Sequence, residues 1–140
     1  MGLVRAVPVS GMLPQGTKVL SIGLHPRSLD YRKMPEGVTK ESLTARIQAA
    51  NSALREAGFD VVTCLVDPDP DTAEAAVAQA LGAGSFGLAM IGGGVRMVPE
   101  HTLVFERLVN VLTEATPGIR LCFNSSPETT IDALRRWIEP

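Results

Sequence analysis

Histidine is the side chain whose ordinary pKa lies closest to neutral, which suits it to general acid–base work. The sequence holds two, His25 and His101. His25 opens the run His25-Pro26-Arg27-Ser28 directly after an aliphatic stretch, and His101 closely follows Gly92-Gly93-Gly94-Val95-Arg96. Three consecutive glycines remove every Cβ from a turn, so backbone N–H groups can come close to a ligand. A helix start downstream favours an anion, and the planar forks of Arg27 and Arg96 suit a carboxylate or phosphate. Tyr31, and Asn124 and Ser125 after the last aliphatic stretch, offer further hydroxyl and amide groups. The expected site therefore has His25 and His101 as catalytic residues. Its ligand-binding residues are Arg27, Tyr31, Gly92, Gly93, Gly94, Arg96, Asn124 and Ser125. The competing structural account is a turn of positive φ at the glycines and loop-capping histidines.

Familiar cofactor signatures are absent. Met97 stands where G-x-G-x-x-G requires its third glycine, and no G-x-x-x-x-G-K-[ST] cradle or G-x-S-x-G elbow occurs. A receiver-type site would need acids after the first strand and an Asp ending the third, where this chain has His25 and Gly92. Asp67, Asp69 and Asp71 alternate with prolines and offer oxygen ligands, but a helix cap at Asp71 and solvated neighbours account for them more simply. No metal and no cofactor is expected.

Four apolar runs, at 18–24, 59–66, 86–91 and 119–123, read as strands covered on both faces. Helical patterns alternate with them. The first spans 40–57, with Leu43, Ile47, Ala50 and Leu54 on one face, Thr39 as N-cap and Gly58 as stop. The second opens at Asp71 and the third near Pro99 or Glu100. The fourth opens with Ser126-Pro127-Glu128, a cap followed by proline at the first helical position. This alternation predicts right-handed βαβ units. The expected fold is a three-layer αβα domain over 18–140 with a four-stranded parallel sheet in doubly wound order 2-1-3-4, as in flavodoxin-like folds. Residues 1–17 are expected to form an extended arm. The core should include Val19, Leu20, Ile22, Ile47, Leu54, Val62, Cys64, Leu88, Met90 and Leu121.

In such sheets ligands bind beyond the C-terminal strand ends where the order reverses, here between the first and third strands. About fifteen residues separate the first strand from the first helix, long enough for a functional loop. A loop carrying Arg27 and Tyr31, with His101-Thr102 opening a later helix, resembles the layout of type II dehydroquinases. The Arg–Tyr spacing and the residues ending the strands depart from that family's pattern, so no activity is carried over.

Composition narrows the partners. Thirteen Lys and Arg against fifteen Asp and Glu give a net charge of −2, without the basic excess of nucleic-acid binders. No stretch reaches the ~20 apolar residues of a membrane span, and no leader is evident, so a cytoplasmic location is expected. Two cysteines within apolar runs read as reduced core thiols.

The functional expectation is binding of an anionic small organic molecule, with cofactor-independent lyase or isomerase chemistry as its catalytic form. The alternative is a non-catalytic, homo-oligomeric binding or scaffold protein that uses the 25–39 loop for interaction. The third helix, over 103–115, is apolar on more than one face, and a homodimer through it is expected. Sedimentation of the intact chain at high micromolar concentration should show a dimer; a monomer there would remove that expectation.

Overall fold

The computed structural model describes residues 11–140. Four strands, β1 (Lys18–Leu24), β2 (Asp60–Val66), β3 (Leu88–Ile91) and β4 (Arg120–Phe123), form one parallel sheet in the order β2-β1-β3-β4. Five helices flank it: α1 (Lys40–Glu56), α2 (Pro70–Gly82), α3 (Gly93–Arg96), α4 (Thr102–Ala115) and α5 (Thr130–Arg135). This is the doubly wound three-layer arrangement. No helix among the described residues is long and apolar enough to cross a membrane.

Residues 1–10 of the expected arm lie outside the described residues. Beyond them, the Leu13 N–H donates to the Trp137 carbonyl at 2.7 Å and the Glu139 N–H to the Leu13 carbonyl at 2.9 Å, so this stretch lies along the C-terminal segment.

Local chemistry sets most boundaries. Thr39 and Ser42 cap α1 reciprocally, and Gly58 reverses the chain after it at φ +88°. The cap of α2 is Asp69 rather than Asp71: its carboxylate accepts the Thr72 N–H at 2.9 Å. Pro70 causes the shift, because its fixed φ and missing N–H suit the first helical position. The third helical segment is also broken where one start near Pro99 was expected. Residues 93–96 wind the short α3, residues 99–101 make a 3-10 turn, and α4 begins only at Thr102.

The two faces of the sheet are unequal. On one, Leu20, Ile22, Leu24, Ala89 and Ile91 pack with residues of α2 and α4 into the larger cluster. Val104, Leu108 and Leu112 of α4 are buried there, and Arg107 pairs with Asp71 and Glu74 across to α2. The apolar excess of α4 thus serves both the sheet and α2, while Leu103 remains 52% exposed. On the other face, Val19, Leu88, Met90 and Cys122 pack with Leu54 of α1 and with Ala133 and Leu134 of α5.

Four expected core residues are not fully buried. Val62 is 36% exposed, and Cys64 and Leu121 are half-buried, because β2 and β4 are the edge strands. Ile47 is half-buried because its half of α1 overhangs a hollow. Cys64 and Cys122 are free, and two strands lie between theirs. That separation of about 14 Å is far beyond disulfide reach. Burial pushes the Cys122 thiol up to about 12, which keeps it an inert core group.

Along the α1-facing side β1 shrinks toward the C-terminal edge, and β3 gives way to glycine just past its end. β1 runs Val19, Ser21, Gly23, and β3 runs Leu88, Met90, then Gly92 just past its end. Large side chains close the floor beneath the second half of α1, whereas small ones leave space beneath its first half. Leu54, buried at the closed end, should be the helix's main anchor. Leu54→Ala is expected to cost about 2–5 kcal/mol in urea unfolding; a loss under ~0.5 kcal/mol would show that α1 is held by something else.

Candidate functional site

The space beneath α1 opens at the C-terminal edge as a crevice of about 330 Å³. It is lined by the glycine triplet after β3, by residues 124–127 after β4, and by Leu43, Arg46 and Ile47 of α1. Leu29, Met34, Pro35 and Val38 of the 25–39 loop close it on the β1 side.

None of the three glycines has positive φ, so a left-handed turn does not account for the triplet. Close approach accounts for Gly93, and its two neighbours sit at ordinary contact distance. A Cβ on Gly93 would lie 3.0 Å from Met97 Sδ and 3.3 Å from the Ser125 carbonyl oxygen. A Cβ on Gly94 would meet the Leu24 side chain at 3.4 Å, and one on Gly92 would meet the Ile22 carbonyl at the same distance. Asn124 locks this contact: its Oδ1 accepts the Gly93 N–H at 2.9 Å, and its Nδ2 donates to Thr130 Oγ1 at 2.7 Å.

The loop is ordered by its own polar groups. Arg27 donates through Nε and a terminal nitrogen to both Asp67 oxygens at 3.2 and 2.8 Å, and Ser28 Oγ donates to Asp67 at 2.6 Å. Tyr31 donates its hydroxyl to the Pro26 carbonyl, and Asp30 caps the next turn by accepting the Arg32 N–H. Gly37, at φ +89°, turns the chain toward α1. The loop therefore forms a built wall fastened to the end of β2. Leu29 and Met34 line the crevice on one side and a second hollow of about 380 Å³ on the other.

The candidate residues divide accordingly. Gly92, Gly93, Gly94, Asn124 and Ser125 line the crevice together. Arg27 and Tyr31 are engaged within the loop. The His25 ring is turned to the same network, its Nδ1 accepting the Arg27 N–H at 3.2 Å. Arg96 points toward β4, donating to the Asn124 carbonyl at 2.9 Å and lying over the Phe123 ring. His101 lines the second hollow and donates Nδ1–H to the Gly94 carbonyl at 3.0 Å, which braces the glycine turn. The alternating aspartates are each used: Asp67 fastens the loop, Asp69 caps α2 and Asp71 meets Arg107. Among the described residues no group of three or more His, Cys, Asp or Glu is placed to hold a metal ion.

Arg46 was not among the candidate residues, yet it is the one charged side chain of the crevice lining. Its Nε and a terminal nitrogen donate to the two oxygens of Glu128 at 2.8 and 2.6 Å, which holds the Glu128 carboxyl below its usual range. Its position beside Ile47 on the inward stripe of α1 was the available signal. No family model, curated protein or solved structure matches this chain.

The Arg27 and Ser28 bonds depress the Asp67 carboxyl to about 2, below its unfolded value of about 3.9. A depressed carboxylate stabilises the fold fully above the unfolded value, and that contribution fades as pH falls through the folded one. Asp67→Asn should therefore melt below wild type at pH 6, and the gap should close between about pH 4 and 2. Thermal unfolding across that range tests this; a pH-independent gap would refute the assignment.

Proposed function

We propose that the crevice binds a small organic molecule with an apolar body, its polar end lying against the wall formed by the glycine triplet and residues 124–126. The observation that carries this reading is the hollow of about 330 Å³ at the point where strand order reverses between β1 and β3. Open α/β sheets place ligands there, and the volume falls within the range of small-molecule sites. Seven apolar side chains of β1, the loop and α1 surround it, with side-chain amide and hydroxyl groups confined to the β4 side.

Binding is the role this lining supports. The lyase or isomerase form of the expectation needs an acid–base group facing the ligand, and the crevice's one titratable side chain is Arg46. His25 and His101 brace the loop and the glycine turn instead.

Ile47→Trp should fill the crevice from its α1 wall. With the fold verified by circular dichroism, small apolar molecules that shift the amide resonances of Gly92, Gly93 and Gly94 in wild type should bind this variant at least tenfold more weakly. Unchanged binding to Ile47→Trp would place the ligand elsewhere.

A further inference from the structure

The crevice lining includes one side chain whose chemistry suits an anion. Arg27 and Arg96 are spent, the first on the two oxygens of Asp67 and the second on the Asn124 carbonyl and the Phe123 ring. Arg46 lines the hollow, and its fork is filled by a carboxylate from the same chain.

Three features make Glu128 displaceable. The two side chains are 42% and 53% exposed, so either can return to water without being stranded. A half-exposed pair of this kind contributes little to stability. The turn carrying Glu128 also does not rely on the ion pair: Ser126 and Thr129 form its capping box, with the Thr129 hydroxyl accepting the Ser125 and Ser126 N–H groups. Arg46 and Pro127, the neighbour of Glu128, both belong to the crevice lining, and with Glu128 they also line an adjoining hollow, so the ion pair sits at the crevice's margin.

We propose that Arg46 recognises the carboxylate of the crevice's ligand, and that Glu128 is an internal placeholder for that carboxylate in the empty protein. This rests on the crevice being the ligand site. The ligand class is a monocarboxylate with a short aliphatic or single-ring body. A guanidinium meets a planar carboxylate through two parallel bonds, which is the geometry Glu128 already displays. One cation beside a neighbouring acid disfavours a dianion such as a phosphate monoester. A hollow of about 330 Å³ lies at the small end of ligand sites and suits a body of a few carbons or one ring.

The test titrates hexanoate and benzoate, with hexanol and benzyl alcohol as neutral counterparts, into the intact chain and follows the amide resonances of the glycine triplet. Arg46→Met keeps the apolar stem and removes the fork, and should weaken carboxylate binding at least tenfold while leaving the alcohols within twofold. Glu128→Gln removes the competitor and should tighten carboxylate binding about two- to fivefold. Both positions are partly exposed, so both variants should keep the wild-type melting profile within a few degrees. Carboxylates and alcohols binding alike, unaffected by Arg46→Met yet blocked by Ile47→Trp, would overturn the role of Arg46 while sparing the crevice. No binding, or binding indifferent to Ile47→Trp, would overturn both.

Discussion

A single buried amide holds the C-terminal edge of the sheet together. Asn124 follows β4, and its three polar groups reach two segments: Oδ1 to the Gly93 N–H and the backbone carbonyl to Arg96, both of α3, and Nδ2 to the Thr130 hydroxyl of α5. An amide on a short stem accepts through one atom and donates through another, which lets one side chain serve both neighbours. An aspartate would lose the donor and a leucine both bonds, leaving buried groups unsatisfied at roughly 1–3 kcal/mol each. Gly93 follows from this contact. Drawing the β3 exit against the Ser125 backbone leaves no free space for a side chain at that position, and bare backbone forms the crevice floor there.

The fold was legible because the forces behind it act locally. Apolar runs covered on both faces marked the strands, and Thr39, Gly58 and Ser126 marked helix ends through caps that involve only near neighbours. Asp69 displaced Asp71 for an equally local reason, the proline between them. The crevice's place at the strand reversal also followed from strand order. Its charged partner did not. Arg46 and Glu128 are 82 positions apart and Arg27 and Asp67 are 40 apart. Nothing in the sequence around an exposed arginine says which distant carboxylate will claim it. Residue type identified Arg27 and Arg96 as able to bind an anion, but side-chain direction decided that they bind their own chain.

The 25–39 loop shows how a long connection becomes rigid without regular structure. Arg27 and Ser28 fasten one end to Asp67 at the tip of β2, and the Thr39 cap fastens the other to α1. Between them, apolar side chains face inward and Arg32, Lys33 and Glu36 face water. The polar bonds therefore decide where the apolar wall stands, which makes Asp67 a positioning residue for a crevice it does not touch.

The tapering of the α1-facing strands has an evolutionary cost. Ser21 and Gly23 on β1, and Gly92 past β3, give up hydrophobic burial that bulkier residues at the same positions would supply. Ile47 lies over a small hollow that Ser21 and Gly23 line, and Gly92 lines the crevice beside it. A lineage selected only for stability would fill that gap, since cavity-filling changes are among the easiest stabilising steps available. The taper therefore leaves a part of the fold where stability could be raised by simple substitution.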